Sequence, residues 1–337
     1  MEKEAFLYEP TGDSNVKCHL CCHRCRISSG KRGICGVREN RDGKLYTLVY
    51  GKVEARHVDP IEKKPLFHFQ PASRSYSIST VGCNLRCVHC QNWEISQFPR
   101  LYKSITGIEM TPEEVVDEAI KFNCRSISYT YTEPTIYMEF AYECARLARE
   151  RGVKNVFVSN GYMTPEAIEK IAPYLDADNI DLKGDDEFYK KITGARLQCV
   201  LDTIKDMKER GVWVEVTTLV IPRLNDSEDF LKWVADFIVS VSPEIPWHVT
   251  QFYPTYKLTD RGRTPISTLR RAREIGIKAG LKYVYEGNVP GEGGENTYCP
   301  NCGRVVIERL GFSLTSINIK NGRCTFCGEV IDGVDMP

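Results

Sequence analysis

From about residue 75 to residue 286 the chain alternates between two hydrophobic rhythms. Short β-branched apolar runs are each followed by a stretch whose apolar residues recur at helical spacing. The runs predict strands over residues 75–81, 125–131, 155–159, 179–182, 212–221 and 247–252, with a further short strand over 283–286. Helix starts are written into the intervening segments. Thr111-Pro112-Glu113-Glu114 combines a capping threonine, proline at the first helical position and a glutamate three residues on, and Thr164-Pro165-Glu166 repeats most of that signal. Helical patterns over 135–150, 197–210, 226–239 and 266–279 complete the alternation. About six βα units without an internal repeat predict an α/β protein, a partial (βα)6 TIM-like barrel around a parallel sheet.

The flanks break this rhythm. Residues 1–70 are cysteine-rich and contain a short β-branched stretch over 45–53, so they read as a small metal-held module. Residues 71–288 form the barrel. The turn-forming run 287–296 separates it from a last cysteine-rich module, residues 289–337.

Composition narrows the setting. With 42% hydrophobic and 27% charged residues the chain has ample material for a core. Lys plus Arg equals Asp plus Glu at 45 each, so no overall field favours nucleic acid or an anionic membrane. No apolar run approaches the roughly 20 residues that span a bilayer, and the first residues lack a signal-peptide core, so a cytoplasmic location is expected.

The 15 cysteines change the picture most. Without an export signal they argue against disulfides and for metal or redox chemistry. Eleven fall into three spaced sets: Cys18, Cys21, Cys25 and Cys35; Cys83, Cys87 and Cys90; and Cys299, Cys302, Cys324 and Cys327. Cys22, Cys124, Cys144 and Cys199 are expected to be buried free thiols, although Cys22 could stand in for Cys21.

The central set, Cys83-Asn-Leu-Arg-Cys87-Val-His-Cys90, follows a strand and so sits on a loop at its C-terminal end, where α/β folds gather function. Structural zinc sites close with four ligands, whereas three thiolates on an iron–sulfur cluster leave one iron open to a substrate. A zinc site completed by His89, or an inert thiol group, is the competing reading. Four other strand ends carry polar residues: Glu133, Ser159-Asn160, Asp181 with Lys183, and His248. Taken singly, these read as a helix N-terminal charge, an Asn-Gly turn, a surface ion pair and a core histidine.

Taken together they resemble the radical S-adenosylmethionine (SAM) superfamily. Cys90-Gln91-Asn92 is similar to the branch containing glycyl-radical-enzyme activating enzymes, with His89 where Tyr or Phe is usual. Tyr131-Thr132-Glu133-Pro134 resembles the family's Gly-Gly-Glu-Pro, which implies that Glu133 meets the amino group of the cofactor's methionine. Ser159-Asn160-Gly161 resembles the activators' Thr-Asn-Gly, with Val158 in place of their frequent Asp. Asp181-Leu182-Lys183 matches Asp-Leu-Lys, implying contacts to a ribose hydroxyl and the cofactor carboxylate. Pro246-Trp247-His248 resembles the segment whose His lies beside ribose and adenine. The implied fold is a radical SAM partial barrel. The implied chemistry is reductive cleavage of S-adenosylmethionine at a [4Fe-4S] cluster on Cys83, Cys87 and Cys90. It yields a 5′-deoxyadenosyl radical that removes hydrogen from an unidentified substrate.

Cys299-Pro-Asn-Cys302-Gly and Cys324-Thr-Phe-Cys327-Gly are two CxxCG knuckles, the arrangement of a zinc ribbon, with a rubredoxin-like iron site as competitor. For Cys18, Cys21, Cys25 and Cys35 a structural zinc is expected first and an auxiliary iron–sulfur cluster second. Lys17, Arg24, Arg26, Lys31, Arg32 and Arg38 crowd that set. They read as offsets to thiolate charge, with binding of nucleic acid or an acidic partner as the minority reading.

Over nearly the whole chain the stretches 59–69, 129–135, 157–162 and 246–249 resemble the radical enzyme of the AmmeMemoRadiSam system. That resemblance implies Memo-like and AMMECR1-like proteins as partners, beside an electron donor of ferredoxin or flavodoxin type. Activation of a pyruvate formate-lyase-like glycyl-radical enzyme is the alternative activity. A non-catalytic zinc-stabilised scaffold is the alternative of another class.

Overall fold

The computed structural model describes residues 3–337. One eight-stranded sheet dominates: β1 (Ala55–Pro60), β2 (Arg74–Ser79), β3 (Ser126–Tyr129), β4 (Lys154–Ser159), β5 (Ala177–Asp181), β6 (Trp213–Val220), β7 (Trp247–Gln251) and β8 (Val284–Gly287), adjacent in that order. Strands β2 to β8 run parallel, and β1 pairs antiparallel with β2. Helices α1 (Pro112–Lys121), α2 (Met138–Glu150), α3 (Pro165–Ile171), α4 (Leu197–Glu209), α5 (Glu228–Val241) and α6 (Ile266–Ala279) intervene. The edge strands β1 and β8 do not pair with each other, so the architecture is the expected α/β partial barrel, left open.

Local chemistry explains the frame. Thr111 and Glu114 form the full capping box at α1, and Thr164 caps α3 through the Ala167 amide. Along β6, Val214, Val216 and Val220 join the core with Leu231, Val234 and Ile238 of α5. The alternate residues Glu215, Thr217 and Leu219 share the opposite face, as the two-residue period of a strand requires.

Two sequence expectations are corrected. The boundary at residue 70 cuts through the large sheet, because β1 is its edge strand and the segment after it turns inward. Ile61, Leu66 and Phe69 pack on Val156 and Ala177, near the N-terminal ends of β4 and β5. Asn179 Nδ2 donates to Pro65 O (2.8 Å), and Glu215 accepts the Phe67 and His68 amides (3.0 and 2.8 Å). This segment closes the bottom of the barrel and leaves the C-terminal end open. The second correction concerns Cys22 and Cys199, which are joined by a disulfide with Cα atoms 6.4 Å apart. The N-terminal module lies against the start of α4, a proximity across 177 residues that spacing does not reveal. Cys124 and Cys144 are free and buried, as expected.

The C-terminal module is a three-stranded sheet (Thr297–Tyr298, Val305–Leu310, Ser313–Ile317) with a two-stranded one (Ile319–Lys320, Arg323–Cys324). Its tail returns to the barrel bottom, where Gln70 N donates to Val334 O and Val334 N to His68 O. Among the described residues no helix is long and apolar enough to cross a membrane.

His68 joins these parts. Its Nδ1 lies 2.6 Å from Asp332 O and its Nε2 2.5 Å from Tyr285 Oη. A carbonyl only accepts, so Nδ1 carries the proton and Nε2 accepts from the tyrosine. Burial lowers the His68 pKa to about 4. An unfolded chain takes up this proton near pH 6.5, so the stability His68 contributes is complete above that pH and is lost as the pH falls toward 4. We expect about 3 kcal/mol of acid destabilisation from this residue. Denaturant titrations at pH 7 and pH 4.5 check it, and a His68→Gln protein should show a correspondingly flatter pH dependence.

Candidate functional site

Beyond β2 the chain enters the loop that carries Cys83, Cys87 and Cys90. Gly82 has φ +105°, and a Cβ there would stand 2.6 Å from Val37 Cγ1, so only glycine lets the loop seat against the N-terminal module. The Arg86 and Val88 amides donate to Thr193 O and Ile192 O. Arg100 gives its Nη2 to Cys83 O (2.5 Å), Nη1 to Leu85 O (2.7 Å) and Nε to Ile34 O (2.8 Å). The loop is therefore shaped by backbone bonds and one guanidinium, which leaves its three sulfurs for another task.

All three sulfur-bearing residues line a cleft of about 540 Å³ at the C-terminal ends of the strands. Glu133, Ser159, Asn160, Asp181 and Lys183 line it too, so the structure brings these sequence-derived residues together. Asn160 Nδ2 donates to Cys83 Sγ (3.4 Å), as does the Leu85 amide (3.4 Å), and Cys90 Sγ lies 3.2 Å from Ser96 Oγ. Burial pushes the Cys87 thiol up to about 12, with the Lys183 ammonium opposing. Lys183 Nζ pairs with Asp181 Oδ2 at 2.5 Å, with Lys183 only 12% exposed, so this is a cleft-wall pair rather than a surface one. Against burial, Asp181 and Cys87 hold the Lys183 ammonium protonated. Tyr189 Oη accepts from Lys183 N and donates to Asp181 O, and Asn225 Nδ2 donates to Lys183 O, fixing this strand end.

Glu133 is buried. It accepts the Thr135 amide and hydroxyl on one oxygen and the Asn160 amide (2.8 Å) on the other. Burial raises its pKa against those donors. It thus caps a helical turn and also braces Asn160 in the cleft wall. Ser159 spends its hydroxyl on Asp178 (3.0 Å) and on the Gly161 amide (3.1 Å). His248 does not reach the cleft wall: its Nε2 meets Glu215 Oε2 at 2.7 Å, its ring stacks on Tyr285, and it lies one inward-facing residue below Thr250, which does line the cleft.

Sequence reasoning did not find Arg100, or the Lys64–Asp59–Tyr131 wall. Lys64 Nζ lies 2.7 Å from Asp59 Oδ2 and 4.5 Å from the Tyr131 ring centre, and Tyr131 Oη donates to Asp59. Burial lowers the Lys64 ammonium to about 8. Tyr131 takes φ +61°, a left-handed conformation that glycine adopts more freely than tyrosine. The unusual run Asp59-Pro-Ile-Glu-Lys-Lys64 was the available signal for this wall.

At the far end, Cys299 and Cys327 sulfurs stand 3.6 Å apart and those of Cys302 and Cys324 3.8 Å apart, and all four lie within 4.8 Å of one another. Thiolates about 2.3 Å from one tetrahedral ion have this spacing. Among the described residues no other three Cys, His, Asp or Glu side chains gather as closely. The basic residues of the N-terminal module are largely neutralised: Arg24 pairs with Glu166, Arg32 with Glu39, and buried Arg38 with Glu139.

An open α/β barrel with three loop thiols at its mouth, facing a carboxylate–ammonium pair across one cleft, has the arrangement of an enzyme site that could hold an iron–sulfur cluster with one open position. Residues 77–234 match the model of the Radical SAM superfamily, and the chain belongs to it. It is 51% identical over 333 residues to an uncharacterized protein of Methanocaldococcus jannaschii, covering 98% of this chain and 99% of that one. It is 27% identical over 167 residues to the pyruvate formate-lyase-activating enzyme of Clostridium pasteurianum, covering 48% of this chain and 67% of that one. A radical SAM methyltransferase from Sphaerobacter thermophilus shares the fold, with TM-score 0.51 at 15% identity over 65% of this chain and 68% of that one. The superfamily implies a [4Fe-4S] cluster and S-adenosylmethionine. The site fits both: three cleft-facing thiols without a fourth, and charged groups of both signs for an amino-acid and ribose moiety.

Proposed function

We propose that this radical SAM enzyme generates a 5′-deoxyadenosyl radical in the cleft and uses it to remove hydrogen from a substrate bound there. The observation that supports the reading best is the shared wall on which Cys83, Cys87 and Cys90 meet Asp181 and Lys183. When bound, the reduced cluster supplies the electron that breaks the sulfonium S–C5′ bond. Cys83, Cys87 and Cys90 would hold it. Lys183 offers an ammonium to the cofactor carboxylate and Asp181 an acceptor to a ribose hydroxyl. Glu133 offers a remaining lone pair to the amino group while it braces Asn160. Tyr131 and Pro65 narrow the cleft against solvent. The ribbon cysteines would hold zinc. A ferredoxin- or flavodoxin-type protein supplies the electron, and the extended likeness at residues 59–69 supports the AmmeMemoRadiSam assignment with Memo-like and AMMECR1-like partners.

Anaerobic protein reduced with dithionite in the presence of S-adenosylmethionine should release 5′-deoxyadenosine and methionine; their absence would refute the reading. Asp181→Asn is expected to weaken S-adenosylmethionine binding about tenfold, roughly 1.4 kcal/mol, in anaerobic titration calorimetry of cluster-loaded protein. An unchanged Kd would remove Asp181 from the cofactor site. A second reading, transfer of the radical to a glycine of a partner enzyme, is favoured by the activity named for the Clostridium pasteurianum relative. A glycyl-radical doublet in electron paramagnetic resonance (EPR) of the mixed proteins tests it.

A further inference from the structure

The cofactor residues named above stand at the ends of β2 to β5. Lys63 and Lys64 line the same cleft from the turn after β1, and they carry a charge balance of their own. Asp59 accepts from Lys63 Nζ at Oδ1 (2.9 Å), from Lys64 Nζ at Oδ2 (2.7 Å) and from the Tyr131 hydroxyl. Against burial, these donors hold the Asp59 carboxyl well below the usual carboxylate range. One carboxylate therefore serves two ammonium groups, and one positive charge is left over. Both lysines line the main cleft, whereas Asp59 lines a neighbouring cavity of about 360 Å³ that shares Phe312 with it. The surplus charge thus belongs to the cleft side of the wall.

This wall is held in place before any ligand arrives. Pro65 O accepts from Asn179 Nδ2, and Glu215 takes the Phe67 and His68 amides, so the segment that carries both lysines is fixed from inside the barrel. On its other flank Tyr131 keeps φ +61°, a conformation that a residue other than glycine holds only where its surroundings impose it. Its ring lies under Lys64, its hydroxyl is spent on Asp59, and its carbonyl accepts from Asn92 Nδ2 (2.7 Å), two residues beyond Cys90. Tyr131 thereby ties the lysine wall to the cysteine loop. An ammonium has three donors, so each lysine keeps N–H groups beyond the one that Asp59 takes. The Lys64 side chain is only 2% exposed, and a charge-assisted bond from so sheltered a donor is stronger than one made in water.

We infer that Lys63 and Lys64 recognise an oxyanion of the substrate, a phosphate ester or a carboxylate, and so orient the substrate in the cleft. The role in substrate binding rests on the proposed radical chemistry; the anion site itself does not. Lys183 and Asp181 remain with the cofactor, so the two anion positions belong to different walls of one cleft.

The test is anaerobic equilibrium dialysis of cluster-loaded protein against radiolabelled inorganic phosphate and, separately, radiolabelled acetate, each with and without saturating S-adenosylmethionine. At least one anion should bind in a single equivalent at millimolar concentration, and S-adenosylmethionine should not displace it. Preference for phosphate assigns a phosphate ester and preference for acetate a carboxylate. Lys63→Met and Lys64→Met should each weaken binding about tenfold or more, since each removes a charged donor. Lys63 has its side chain 43% exposed, so its replacement spares the core and decides the matter if Lys64→Met does not fold. Binding of neither anion, displacement by S-adenosylmethionine, or unchanged affinity in Lys63→Met would each overturn the inference. Anion binding by a protein that forms no 5′-deoxyadenosine would leave the site standing and remove only its radical substrate.

Discussion

Replacing Cys87 by Ala is expected to reduce 5′-deoxyadenosine formation by about a thousandfold or more, equivalent to roughly 4 kcal/mol of barrier. The three thiols have separate anchors. Cys83 receives the Leu85 amide and the Asn160 amide group, Cys90 adjoins Ser96, and Cys87 faces the Lys183 charge. Removing the middle one leaves two thiolates, too few to retain a cubane beside the open cleft. The fold should tolerate the change, because the loop is held by Arg100 and by the carbonyls of Ile192 and Thr193 rather than by its sulfurs. Chromatography of the dithionite-driven reaction measures product, and circular dichroism reports the fold. Full turnover in a folded variant would mean that the cluster sits elsewhere.

The largest effect on stability is expected from Arg38→Met. Arg38 and Glu139 are an ion pair with side-chain exposures of 1% and 0%, joining the N-terminal module to α2. The guanidinium also reaches Phe6 O (2.9 Å) and Cys18 Sγ, while Glu139 accepts the Phe6 amide (2.6 Å). Methionine fills similar volume but strands the carboxylate in a dry interior, which costs about 3–5 kcal/mol. The double replacement Arg38→Met with Glu139→Leu removes both charges and should recover most of that loss. Guanidinium denaturation of the metal-loaded proteins compares them. A single variant within about 1 kcal/mol of the native protein would show that the pair is solvated in solution. The same contacts explain why Arg38 is not part of a nucleic-acid surface, although in the sequence it belongs to a basic run.

Periodicity alone determined the repeating frame of this protein. The β-branched runs and capped helices encode the seven parallel strands and six helices locally, within each βα unit, so they are legible without tertiary information. The place of the cysteine loop at the cleft was legible for a related reason: its three cysteines lie within eight residues, so their convergence needs no long-range folding. Glu133, Asn160, Asp181 and Lys183 follow from the rule that successive parallel strands deliver their ends to one face. Tertiary structure decided what depends on contacts between distant segments. The antiparallel edge strand β1 and the inward turn of residues 61–69 have no periodic signature, and the Cys22–Cys199 link spans 177 residues. His248 illustrates the limit. Its place on an inward-facing strand position was readable, but whether it met the cleft or the core depended on Glu215, Phe67 and Tyr285 converging on it from three separate segments. Spacing likewise located both flanking cysteine quartets, yet only the distances between sulfurs show that Cys299, Cys302, Cys324 and Cys327 close to the spacing of a site for one ion, because ligand spacing along a chain does not set ligand spacing in space.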